Sequence, residues 1–254
     1  ILMREMYVAF FVLLALNYVV DWFRTGSIKS FSLVIVSFMA GTTFHGGVFI
    51  GLISFIIIVL SIKIRNVIKR LFDSLISINS LIFLVLLGTS VVYVFSSSFH
   101  IPKIGAVNDF DYIRKNLLTK NMVTHRGDAR YPSWTIAKSE DELIYKIPVR
   151  VVYLIFSPFP WDVKKKSHLV GMFDSFFYMF FIYLIFRNRK VVWADPILRT
   201  ILLILFTYLV VYGISVANFG TGIRHRMKFV VMFILLAGPL LPKFNFSRKN
   251  KMKN

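Results

Sequence analysis

The chain has 254 residues, of which 57% are hydrophobic and 17% aromatic, with a formal net charge of +19 and a mean hydropathy of +0.69. Several long apolar runs with few charges exclude an ordinary soluble domain and a disordered chain alike, and indicate an all-α polytopic membrane protein. The basic residues cluster between the apolar runs, so topology and anionic headgroups account for them better than nucleic acid, and no nucleic-acid partner is expected. There is no cysteine, hence no disulfide and no thiolate chemistry.

The opening at Ile1, with Met3 as an alternative start and no cleavage site after Val20, gives the expectation of a fragment lacking N-terminal spans, forming one transmembrane domain over residues 1–254. Met6–Val20 reads as the first span, closed by Asp21, Arg24 and Lys29. The apolar run Phe31–Leu60 would reach about 45 Å as one helix, more than a hydrocarbon core of about 30 Å. GTTFHGG (Gly41–Gly47) interrupts it, which predicts two segments, 31–44 and 48–62, meeting at His45; one kinked, tilted span is the competing reading. Lys63, Arg65, Lys69 and Arg70 precede a span at 75–95.

Residues 96–146 form the one long polar stretch, read as an outer loop with enough aromatic and aliphatic residues to fold against the membrane body. Short helices are expected at Asp109–Leu118 and Ser139–Tyr145, the second with a Ser139/Glu142 capping box. Ile147–Trp161 (IPVRVVYLIFSPFPW) is too short to cross comfortably and ends in prolines, so it reads as re-entrant or interfacial. Spans at 168–186, 197–216 and 229–241 follow, then a basic tail. The basic loops Lys63–Arg70 and Arg187–Arg199 and the tail belong in the cytoplasm by their charge, which places 96–146, His45 and Asn218–Lys228 together on the outer face. Lys164–Lys166 break the charge rule there; were Ile147–Trp161 a true span they would obey it, at the cost of exporting the basic tail.

NFGTGIRHRMK (Asn218–Lys228) packs Arg224, His225, Arg226 and Lys228 into five positions after the turn formers Asn218, Gly220, Thr221 and Gly222. It reads as a tight turn between spans whose cations either anchor a helix end or receive an anion. Asp174, about two turns into its span, is a candidate functional acid with Arg224 or Arg226 as partner, or a packing ion pair. Arg150 is a second candidate cation or a snorkelling one. Arg126 and Arg130 in HRGDARYP are surface charges or substrate contacts, and His45 is a helix-start residue or a ligand contact. The histidines lack metal spacing, and no Walker loop or dinucleotide fingerprint occurs, so no metal, nucleotide or other cofactor is expected. Arg forks suit phosphate oxygens, and a diphosphate met on the outer face of a membrane points to a lipid-linked sugar.

FHGG (Phe44–Gly47), VRVVYLIFSPFPW (Val149–Trp161) and NFGTGIRHRMKF (Asn218–Phe229), in that order, resemble the multispanning repeat-unit polymerases of O-antigen and capsule loci and related lipid-sugar-dependent glycosyltransferases. The resemblance implies an inner-membrane enzyme of surface-polysaccharide assembly, transferring a glycan from a polyprenyl-diphosphate carrier, alone or with other assembly proteins. It marks Arg224, His225 and Arg226 in the last motif and Arg150 in the middle one. Arg224 and Arg226 are then expected to hold the diphosphate, and Asp174 or His225 to activate the acceptor hydroxyl. A transporter or flippase of lipid-linked glycan, which would show inverted repeats and polar residues through several spans, and a non-catalytic assembly component are the alternatives.

Overall fold

The computed structural model describes residues 2–72, 129–137 and 139–241, with isolated positions between 85 and 115. Among these residues the fold is all-helical apart from a two-residue antiparallel pairing of His100–Ile101 with Gly105–Ala106. Helix α1 (Leu2–Thr25) and α2 (Ile28–Phe44) form an antiparallel hairpin turned at Gly26, whose φ of 65° a side chain would resist. Tyr7 and Phe11 stack on Phe44 at one end, and Trp22 meets Phe31 at the other. A single 3-10 turn, Gly46–Val48, then separates α2 from α3 (Phe49–Phe72). The break expected at His45 is therefore present, and the single kinked span is excluded.

Helix α4 (Glu140–Phe156) begins seven residues before the expected Ile147. Ser139 caps it, its hydroxyl accepting the Glu142 N–H at 3.3 Å, so half of the capping box forms and the helix continues far past Tyr145. Pro148 lies inside it. Helix α5 (Lys166–Arg187), the short α6 (Arg189–Ala194) and α7 (Pro196–Ser215) follow. Asp195 starts α7 by accepting the Ile197 and Leu198 N–H groups, with Pro196 in the first turn where its missing donor is harmless. The last helix is α8 (Phe219–Ala237).

Among the described residues four helical stretches are long and apolar enough to cross a membrane: Arg4–Thr25, Gly46–Arg65, His168–Arg187 and Pro196–Ser215. At 1.5 Å per residue each is about 30 Å long, the thickness of a bilayer core. Helix α5 shows why lipid is its medium. His168, Gly171, Ser175 and Tyr178 turn inward at helical spacing, while Leu169, Val170, Phe173, Phe176, Phe177 and Phe180 are exposed. A contiguous strip of that size is rare against water. The expected span at 75–95, the helix at 109–118, Arg126 and the tail from Lys243 fall outside the described residues, isolated positions excepted.

One end of the bundle collects the polar chemistry. The His45 junction, the start of α1, the end of α7, the starts of α5 and α8, and residues 129–137 all meet there. Both flanks of α4 also lie at this end: Lys146 Nζ donates to Ile136 O at 2.6 Å, and His168, just after it in the chain, packs its ring on Phe219 at 4.8 Å.

Candidate functional site

The segment NFGTGIRHRMK is not a turn between spans. Asn218 is the N-cap of α8, its Oδ1 accepting the N–H groups of Gly220 at 2.8 Å and Thr221 at 3.3 Å, and the chain is helical from Phe219 onward. The last helix thus starts ten residues before the predicted Phe229. Gly222 serves close packing there: a Cβ would stand 3.0 Å from Tyr131 Oη and 3.7 Å from Leu154 O. Residues 129–131 pair with 217–219 as a short antiparallel ladder, Tyr131 N donating to Ala217 O and Phe219 N to Ala129 O. Burial pushes the Tyr131 phenol well above its ordinary range, so it stays a neutral hydroxyl.

Helical geometry distributes the basic residues of α8 around the axis, about 100° apart per residue. Arg224 is exposed, His225 half-buried, and Arg226 and Lys228 are buried. Arg226 points toward α5 and α4: Nη1 donates to Ser175 Oγ at 2.9 Å and to Ile155 O. Its Nη2 lies 3.3 Å from Asp174 Oδ2, with the arginine side chain 0% and the aspartate 39% exposed. This pair is close but out of line for a hydrogen bond, and Arg226 Nε and Nη2 and Asp174 Oδ2 are buried without an aligned partner. Arg226 also stands 5.4 Å over the Tyr178 ring. Of the two expected partners for Asp174, Arg226 is the one in place.

Lys228 faces the opposite side. Its Nζ is 3.2 Å from Glu5 Oε2 on α1, both side chains being about 5% exposed, and 3.0 Å from His225 Nδ1. Arg4 reaches Glu5 Oε1 at 3.2 Å. His225 packs 4.5 Å from Tyr212 and 5.6 Å from His45 between ring centroids. His45 caps the 3-10 turn, its Nδ1 accepting the Gly47 N–H at 3.1 Å with Tyr212 Oη 3.3 Å away. A Cβ on residue 47 would fall on Tyr212 Oη, so only glycine fits there.

These contacts fix the protons. A backbone N–H can only donate, so His45 Nδ1 bears a lone pair and the neutral ring holds its proton on Nε2. A lysine beside a buried carboxylate is an ammonium, which likewise only donates. With Lys228 donating to its Nδ1, His225 directs Nε2 away from the ion pair. Asp174 is the partly exposed carboxylate of the cluster, beside the Arg226 guanidinium.

Arg150 is corrected. Its side chain is 0% exposed, and it donates to Gly213 O, Ile214 O, Val216 O and Thr135 O at 2.8–3.2 Å. It satisfies the orphan carbonyls at the end of α7 and ties them to residue 135, which removes it from the substrate-binding set. Arg130 is exposed and joins Asn218 through the backbone bridge, so it stands beside the start of α8 with Arg224 a turn and a half on. The sequence reading missed Glu5, Tyr212 and Ser175. Glu5 carried a signal, as one of only 12 acidic residues and placed at the head of an apolar run. Among the described residues no group of three or more His, Asp or Glu side chains converges as a metal site would require. No protein-family model matches the chain, and no curated protein and no solved structure is significantly similar to it.

Proposed function

We propose that this chain is a glycosyltransferase of polymerase type, or the part of one that carries the acid and the cations. It is read as a multi-pass protein of the bacterial cytoplasmic membrane, with the polar end on the outer face and α4 lying in that face as an interfacial or re-entrant helix. The observation that carries the reading is the corner where α5 meets α8. There a half-exposed Asp174 is held by an enclosed Arg226 whose Nε and Nη2 have no aligned acceptor, on a helix that also presents an exposed Arg224.

In this reading Arg224, with Arg130 near it, grips the diphosphate of a polyprenyl-linked glycan. Arg226 stands beside Asp174 and aims it. The acceptor hydroxyl gives its proton to Asp174 as its oxygen bonds to the anomeric carbon. The bond from that carbon to the diphosphate oxygen breaks, and the oxygen leaves with the electron pair. Stabilising that departing charge is an electrostatic task for guanidinium groups. The test is purified protein with lipid-linked oligosaccharide, read as product length on a gel. Arg224→Ala should abolish polymer while the protein still inserts; normal ladders from that variant would overturn the assignment.

A further inference from the structure

The end of the bundle opposite the polar cluster carries a different kind of site. Ile182, Ile185 and Phe186 of α5 face Leu202, Leu205 and Leu209 of α7 across a cavity of about 270 Å³, with Phe233 of α8 also lining it. From Leu202 to Leu209 the wall runs about 10 Å at roughly 1.5 Å per residue. It is lined by apolar side chains apart from one. Arg189 stands at its edge, the guanidinium 4.9 Å over the Phe186 ring and donating to Phe186 O at 3.3 Å, with Trp193 beside it.

The surroundings are cationic. Arg187, Lys190 and Arg199 are near Arg189 in the chain, Arg187 donating to Tyr183 Oη and Arg199 to Trp193 O. The acid among residues 187–199 is Asp195, whose Oδ1 already accepts two N–H groups at the start of α7. The slot itself is apolar throughout, and the Arg189 guanidinium lies beside its rim, over the Phe186 ring and on the Phe186 carbonyl. An apolar slot with a cation beside its rim fits an acyl chain whose headgroup carries a phosphate. An indole at the mouth matches the depth at which headgroup meets chain. Arginine, with its planar fork, holds a phosphate better than a lysine does. A zwitterionic lipid would bring its phosphate together with a choline cation into this basic rim, so net negative headgroups are favoured.

We propose that the cleft between α5 and α7 is a binding site for an anionic phospholipid of the adjoining leaflet, its phosphate on Arg189 and one chain against Leu205 and Phe233. This site is independent of the transfer chemistry at the other end. The test is quenching of Trp193 fluorescence by chain-brominated lipid in vesicles of phosphatidylcholine, the Trp193 signal being the difference between the protein and its Trp193→Phe variant. Brominated phosphatidylglycerol should quench Trp193 at about fivefold lower mole fraction than brominated phosphatidylcholine, the preference of about one basic contact. Arg189→Gln should abolish that preference. Raised salt should weaken it without any substitution, which keeps the proposal testable if the variant does not fold. Equal quenching by the two lipids, or a preference that survives both high salt and Arg189→Gln, would overturn it.

Discussion

Helix α8 carries two ion pairs on opposite sides, and they are built differently. Lys228 and Glu5 are both enclosed, with Arg4 on Glu5 Oε1 and His225 beside Lys228 Nζ, while Glu5 Oε2 lies near the ammonium without an aligned hydrogen bond. Arg226 is enclosed too, but its partner Asp174 is 39% exposed and the two are out of line. A pair enclosed on both sides holds α1 against α8 and presents no exposed carboxylate to a ligand. An open pair with spare donors is poor as a brace and suitable as a site, because its carboxylate can exchange partners without unfolding anything.

Substitutions that separate activity from stability sharpen this contrast. Asp174→Asn should lower transfer by 10²–10⁴-fold, the usual contribution of a single base, with thermal unfolding close to that of the parent. An unchanged rate would show that the open pair is a brace after all. Lys228→Met should do the reverse and destabilise by about 3 kcal/mol, because Glu5 stays buried with Arg4 alone. Adding Glu5→Gln should recover part of that loss in the same unfolding measurement; additive losses would contradict the sealed-pair description. Arg150→Lys should cost about 2 kcal/mol, since one ammonium cannot span carbonyls on both α7 and residue 135. Ser175→Ala, which removes one hydrogen bond from Arg226, should cost about 1 kcal/mol and leave the rate within a few-fold. Nitrogen NMR of labelled histidine gives a finer check: His225 should show its proton on Nε2 in the parent and lose that fixed form in Lys228→Met.

The sequence made the bundle legible because apolar runs and their punctuation are local signals. The glycine-flanked break at His45 and the cap at Ser139 are of this kind. The start of α8 was misread for the opposite reason. Gly220 and Gly222 have poor helix propensity; what offsets this at Gly220 is the cap from Asn218, and at Gly222 close packing on α4 and Tyr131, which no single sequence displays. The partnership of Asp174 with Arg226 was legible, as each lies near the start of its apolar run. Glu5 with Lys228 was not, since the two residues lie at opposite ends of the chain. Arg150 looked like a substrate cation because type and position alone cannot tell a guanidinium that meets ligand from one that closes a helix end.

The ladder between residues 129–131 and 217–219 has a mechanical consequence. It fastens residues 129–131 to the residue that caps α8, so a load on them arrives at Asn218, one and a half turns from Arg224. The root of the helix that carries the guanidinium groups is thereby coupled to a segment far from it in the chain, and a displacement of either would be felt by the other.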